Sequence, residues 1–157
     1  MSLFSPTIIL KRITEITPLI LKEQGVEYLL LDVDNTLSTH HGTILIDGLT
    51  EWIEATLNSG IKLMVVSNSK EKRIKPFAAK IGLPFVSLAL KPLPFGYNKA
   101  VKALGADKKK TAIVGDQIFT DVLGGNLIGA KVFLTEPLGR ETDSFIKFKR
   151  KIEKFIR

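Results

Sequence analysis

Three stretches, YLLLDV (28–33), IKLMVV (61–66) and TAIVG (111–115), are almost unbroken apolar runs of only five or six residues. They are too short to cross a membrane, which takes about 20 apolar residues in a helix. They also lack the in–out alternation of a strand with one wet face. A strand reads this way when both of its faces are covered, as in a parallel sheet packed between helices. Pro84–Leu88 and Lys131–Leu134 add two more strand candidates, extending the first set of Tyr28–Val33, Ile61–Val66 and Thr111–Gly115 to five. Between them, 47–59, 70–82, 94–104 and 118–128 carry helix-like patterning. Asp47 is placed to cap the first of these helices and Gly60 to close it. Alternation of strand and helix predicts an α/β fold with a parallel sheet and right-handed crossovers.

A length of 157 residues suits one domain, 1–157, and no repeat or linker divides it. Ser5-Pro6 and Thr17-Pro18 each set an N-cap residue before a proline at the first helical position. They predict a helical lead-in over 1–25, made of two short helices with Gly25 closing the second. At the other end, 141–157 predicts a basic amphipathic helix. Phe145, Phe148, Ile152, Phe155 and Ile156 fall near one stripe, with Lys147, Arg150, Lys151, Lys154 and Arg157 mostly opposite.

Charge and composition narrow the chemistry. A net charge of +7 favours anionic partners, whether phosphorylated metabolites, acidic lipid or nucleic acid. No cysteine is present, which excludes disulfides, thiolate nucleophiles and cysteine zinc sites. No signal-peptide pattern opens the chain, so the expectation is a cytoplasmic protein, in peripheral contact with the inner face of the membrane.

Ligands of an open parallel sheet bind beyond the carboxyl ends of its strands. Here those ends read Asp32-Val33-Asp34-Asn35-Thr36, Ser67-Asn68-Ser69, Lys91-Pro92 and Gly115-Asp116, with Asp121 close behind. Asp32 and Asp34 would repel one another unless a positive charge shared their site. Taken singly, such a pair is as easily a cap or a solvated loop, Ser67 and Asn68 are common turn residues, and Lys91 is a surface lysine. Their common position at one rim is what promotes them. His40 and His41, adjacent and without further ligands nearby, read as exposed loop residues.

DVDNT (32–36), VVSNS (65–69), Lys91 and GDQIFTD (115–121) resemble, in order and spacing, the four motifs of the haloacid dehalogenase superfamily of phosphohydrolases. The resemblance covers 28–134 and implies a three-layer, Rossmann-like α/β/α core. It also implies a Mg²⁺-dependent phosphomonoesterase working through an aspartyl-phosphate. Asp32 is then the nucleophile and Asp34 the general acid and base. Asp32, Asp116 and the backbone carbonyl of Asp34 are the metal ligands, and Asp121 orients ligand waters or Lys91. Ser67 and the backbone at Asn68 donate to the phosphate, Lys91 neutralises its developing charge, and Thr36 braces the loop beside it. For Asp32 and Asp116 to share one cation the first and fourth strands must adjoin, which predicts a five-stranded order 5-4-1-2-3. The intervals Thr36–Ser67 and Ser67–Lys91 leave no room for a cap domain.

ITEITPLILKEQGVEYLLLDVDNTL, SNSKEKRIKPFAAKIGLPF and GDQIFTDVLGGNLIGA are similar to the capless, phosphatidylglycerophosphate phosphatase-like subfamily. That likeness implies an anionic phospholipid substrate. Two alternatives stand beside it: a phosphatase for a soluble metabolite, nucleotide or macromolecular phosphate, and a non-catalytic binding module. The intact set of Asp32, Asp34, Lys91, Asp116 and Asp121 argues against the last. Specific nucleic-acid binding is not expected, since no recognition motif or aromatic stacking platform is present.

Overall fold

The chain enters its main sheet from the edge. The computed structural model describes residues 2–39, 44–138, 147, 150–152 and 154. It begins with strand β1 (Ile8–Leu10), a 3-10 turn at Ile13–Glu15 and helix α1 (Pro18–Gln24). Strand β2 (Tyr28–Leu31) follows, then the short strands β3 (Ser38–Thr39) and β4 (Ile44–Leu45), which pair antiparallel. The central stretch runs α2 (Leu49–Asn58), β5 (Lys62–Val66), α3 (Glu71–Ile81), β6 (Phe85–Val86) and α4 (Pro94–Leu104). Strand β7 (Thr111–Gly115), a π-helical turn at Ile118–Val122, α5 (Leu123–Ile128) and β8 (Lys131–Thr135) complete it.

The main sheet is parallel throughout, in the order β1-β8-β7-β2-β5-β6. It has six strands, not the five expected, and the added one is β1. Residues 5–13 were expected to form a helix, but Ile8, Ile9 and Leu10 pair with Phe133, Leu134 and Thr135 instead. Two adjacent β-branched residues favour the pleated surface, and the otherwise open edge of β8 supplies their partner. Thr7 fixes the register: its N–H donates to the Val132 carbonyl at 2.8 Å, and its hydroxyl accepts from the Val132 N–H at 2.9 Å. The second expected helix of the lead-in is present, with the Thr17 hydroxyl capping it at Ile20 and Gly25 closing it in the left-handed region.

Two further expectations need correction. The N-cap of α2 is Gly48, with φ +77°, and Asp47 lies outside the helix. The turn closed by the Leu49 N–H on the Ile46 carbonyl requires the left-handed conformation that glycine adopts freely. The single helix expected over 118–128 is broken into the π-helical turn and α5.

Alternate residues of each strand face opposite sides, and the core divides accordingly. Leu29, Leu31, Leu63, Val65, Ala112 and Val114 belong to one buried cluster with Ile13, Leu21, Trp52 and Ile74. Leu30, Met64, Val66, Ile113 and Val132 belong to another with Tyr97, Ala100, Val122 and Ile128. Helices therefore cover both faces, as the continuous apolar strands required. Among the described residues of the C-terminal segment, 147, 150–152 and 154 are helical. Ile152 is buried in the second cluster, whereas Lys147, Arg150, Lys151 and Lys154 are exposed. The other stripe residues, Phe145, Phe148, Phe155 and Ile156, lie outside the described residues, as do His40 and His41.

The start of α4 is seated directly on the segment that carries Lys91. The Gly96 N–H donates to the Ala89 carbonyl at 3.1 Å, and a Cβ at position 96 would lie 2.3 Å from the Ala89 Cβ and 2.5 Å from its Cα. Backbone cannot move aside as a flexible side chain would. Gly96→Ala is expected to destabilise the fold by about 1–3 kcal/mol through overpacking. Thermal melts should show a fall of about 2–4 °C per kcal/mol for a chain of this size. An unchanged melting temperature would mean that α4 is not anchored there.

Candidate active site

The central strand β2 aligns Leu31 with Val65 of β5 and Val114 of β7, so all three strands reach the same rim. Asp32 comes next, its N–H bonded to the Val114 carbonyl at 2.9 Å. Lys91 arrives from the segment after β6, and Asp121 from the π-helical turn after β7. The Lys91 Nζ lies 2.9 Å from Asp32 Oδ1 and 2.9 Å from Asp121 Oδ1. Its side chain is 4% exposed, that of Asp121 1% and that of Asp32 16%. Burial works against the Lys91 ammonium, yet Asp121 and Asp32 outweigh it and leave the pKa raised.

Asp121 is held on every side. Its Oδ1 also receives the Tyr97 hydroxyl at 3.3 Å, and its Oδ2 receives the Gln117 N–H at 3.3 Å. Gly115 lies beneath it, where a Cβ would fall 2.2 Å from the Asp121 Cγ. Only glycine permits that approach. With its oxygens so engaged, Asp121 is placed to orient Lys91.

Asp32, Asp116 and Asp121 each bring a carboxylate oxygen within 4.8 Å of the others. The Asp116 Oδ1 is buried and has no hydrogen-bond partner. Burial, and after it the charges of Asp32 and Asp121, push the Asp116 carboxyl up to about 8. Burial also raises Asp121, against the opposing pull of Lys91. Among the described residues, Lys91 is the one cation bonded within the cluster of Asp32, Asp116 and Asp121, while Arg73 is paired with Asp34 outside it. Full ionisation of the cluster would leave it two negative charges in excess, the charge of one divalent cation. A bare buried oxygen within an all-carboxylate set is also the donor chemistry that Mg²⁺ takes. The residues therefore fit a hard divalent cation.

The remaining expected residues take distinct places. Thr36 is buried, and its hydroxyl approaches Asp32 Oδ2 at 3.5 Å, bracing the loop. The buried Ser67 accepts the Ser69 N–H on its hydroxyl at 3.1 Å. The Asn68 side chain grips the Lys91 backbone: its Oδ1 accepts the Lys91 N–H at 2.7 Å and its Nδ2 donates to the Lys91 carbonyl at 3.2 Å. Asn68 thus positions the lysine that follows it by 23 residues. The Asp34 carboxylate turns away from the cluster towards Arg73, whose guanidinium grips it with Nη1 at 3.0 Å from Oδ2 and with Nη2 on Oδ1.

Sequence reading passed over Arg73. It is one of five basic residues from Lys70 to Lys80, and nothing in that run marks it apart. Tyr97 was missed for a similar reason, as an aromatic on a helix reads as core. The available signal was position, since Arg73 lies in the first turn of α3, at the rim where β5 ends.

The model of the haloacid dehalogenase-like hydrolases matches residues 7–129. The Bacillus subtilis (strain 168) protein named "Probable phosphatase YqeG" is 37% identical over 98% of this chain and 89% of its own length. A mitochondrial phosphatidylglycerophosphatase of Saccharomyces cerevisiae is 28% identical, covering 84% of this chain and 79% of its own. Among solved structures, an uncharacterized protein from Listeria monocytogenes serotype 4b superposes with a TM-score of 0.60 at 21% identity. That match covers 74% of this chain and 84% of the other.

The raised Asp116 carboxyl sets a sign for the pH dependence. A folded-state pKa above the ordinary carboxylate value means that the metal-free fold loses stability as pH rises from the ordinary carboxylate range towards 8, because the unfolded chain ionises freely there while the folded site must hold its proton. A divalent cation relieves that burden. The rise in melting temperature produced by Mg²⁺ over EDTA is expected to be small at pH 6 and to grow to pH 8. Asp116→Asn should raise the metal-free melting temperature and abolish the Mg²⁺ effect. A Mg²⁺ effect that is flat with pH, or intact in Asp116→Asn, would contradict this placement of the cation.

Proposed function

The chain belongs to the haloacid dehalogenase-like hydrolases and is a phosphatase of that family, and from this premise we propose that it hydrolyses the phosphomonoester of phosphatidylglycerophosphate, with Mg²⁺, through a phosphorylated Asp32. The observation that carries the chemistry is the Lys91 bridge between Asp32 and Asp121. It leaves the Asp32 carboxylate oriented and still partly open to solvent, as an attacking group must be. The substrate reading is supported by the phosphatidylglycerophosphatase of yeast, which aligns with most of this chain.

In the proposed reaction an Asp32 oxygen attacks phosphorus as the bond to the leaving alcohol breaks. Asp34, released from Arg73 and protonated before this step, gives its proton to that alcohol oxygen. It then takes a proton from the water whose attack on phosphorus breaks the bond to Asp32 and frees inorganic phosphate. Lys91 offsets the charge that develops on the phosphoryl oxygens, with Ser67 and the backbone at Asn68 donating beside it. Asp121, gripped by Tyr97 and Gln117, keeps Lys91 aimed. Asp32, Asp116 and the backbone carbonyl of Asp34 would hold the cation, which supplies charge neutralisation and alignment of the phosphate.

Between Thr36 and Ser67 the described residues comprise the β3–β4 pair, α2 and β5. Nothing among them forms a lid of domain size over the rim, and an open site suits a headgroup presented at a surface.

Phosphate release should be faster from mixed micelles of phosphatidylglycerophosphate than from soluble sugar phosphates or nucleotides, compared by kcat/KM. Asp32→Asn should lose at least ~10² in kcat on every substrate while its circular dichroism is unchanged. Near-wild-type turnover by Asp32→Asn would end the covalent mechanism. Preference for a soluble ester would end the lipid assignment and leave the mechanism standing.

A further inference from the structure

Large apolar side chains gather in one short segment beside the site. Leu88, Leu90, Leu93 and Phe95 are 51%, 55%, 58% and 57% exposed. They bracket Lys91. Inward and outward residues alternate: Ala89 and Lys91 are buried, while Leu88 and Leu90 point out. Leu88 and Leu90 do so with φ of +46° and +60°, the left-handed region that a leucine seldom enters. The segment is held in this form by its surroundings. The Leu88 N–H donates to the Ser69 carbonyl at 2.9 Å, and the Ala89 N–H to the Ser67 carbonyl at 3.0 Å. Asn68 grips Lys91, and the Leu93 N–H closes on the Leu90 carbonyl at 2.8 Å. Backbone held in a sparsely populated region beside a functional site points to a use for the side chains it presents.

Topology places other exposed apolar groups at the same rim. Ile44, 54% exposed, begins β4 beyond the Asp34 loop, and Phe119, 60% exposed, lies in the turn after β7 with its ring edge-on to Phe4. The flanking charge is mainly positive. Ser69, which accepts the Leu88 N–H, is followed by exposed Lys70, Glu71 and Lys72. Single exposed apolar residues are ordinary, but a group of them around a mouth marks an interaction surface.

We propose that this rim, centred on Leu88, Leu90, Leu93 and Phe95, is a docking surface for an anionic lipid bilayer. The apolar side chains enter the boundary between headgroups and acyl chains, and Lys70 and Lys72 lie against the headgroup phosphates. The mouth then faces the membrane, so a headgroup phosphomonoester reaches Asp32 while its acyl chains stay in the bilayer. A second copy of this chain is the poorer occupant. It would close the mouth and set Lys70 and Lys72 against their own like. The surface differs from the C-terminal helix, whose Ile152 is turned into the core.

This inference rests on the lipid-phosphate reading, and its test separates the two. Leu93→Ser with Phe95→Glu removes two of the four anchors and should fold, since serine suits the N-cap at 93 and glutamate the first helical turn. Flotation with phosphatidylglycerol vesicles is expected to show at least a tenfold loss of binding relative to wild type. Turnover of phosphatidylglycerophosphate in those vesicles should fall in parallel, with hydrolysis of soluble p-nitrophenyl phosphate unchanged. Equal vesicle binding by both proteins overturns the docking surface, whatever the substrate. Equal loss on vesicles and on p-nitrophenyl phosphate overturns it too, as damage to the site. Wild type that is dimeric by sedimentation without vesicles, beside a monomeric variant, assigns the rim to self-association and overturns it. If wild type binds vesicles through the rim but leaves phosphatidylglycerophosphate intact, docking stands and the substrate reading falls.

Discussion

One buried ammonium group joins the two halves of the site. Lys91 sits between Asp32, at the end of the central strand, and Asp121, on the turn after its neighbour β7. Asp121, buried without it, would carry an uncompensated charge, a loss of about 3–5 kcal/mol for a broken buried pair. The rest of the rim is arranged around this constraint. Asn68 fixes the Lys91 backbone, Gly96 lets α4 press against the same segment, and Gly115 lets Asp121 descend onto the end of β7. Strand order matters because it sets Asp32 and Asp116 side by side. The residual negative charge and the bare Asp116 oxygen follow from the same crowding.

Pairing Asp34 with Arg73 adds a second polarity to the site. Asp32 is drawn inward by Lys91, whereas Asp34 is drawn outward, with its side chain 42% exposed. Two carboxylates two residues apart thus occupy different environments, one held by a buried ammonium and one by a half-exposed guanidinium. Separation of this kind is how neighbouring acids come to serve different roles.

Much of this was legible because it rests on short-range rules. Continuous apolar runs announced a sheet covered on both faces, and its alternation of inward residues divides into the two clusters found. Thr17-Pro18 and Gly25 bounded α1 by cap chemistry alone. What the sequence hid was decided by tertiary context. Ser5-Pro6 carries the same local signal as Thr17-Pro18, yet Ile8–Leu10 became a strand because β8 offered an edge 125 residues away in the chain. Asp47 lost its capping place to the backbone geometry of Gly48. Arg73 and Tyr97 gained roles only through partners brought close by folding, Asp34 and Asp121. Nothing in the sequence around Lys91 announces that Leu88 and Leu90 face outward, since that depends on their left-handed backbone.

The central claim is that Asp32, oriented by Lys91, receives the phosphoryl group. Steady-state enzyme quenched in acid and treated with borohydride would report this directly, since reduction converts an aspartyl-phosphate to homoserine. Peptide mapping is predicted to find homoserine at position 32 in the presence of Mg²⁺ and substrate, and none when either is omitted. Continued phosphate release with residue 32 unmodified, or with the modification at another carboxylate, would contradict the account.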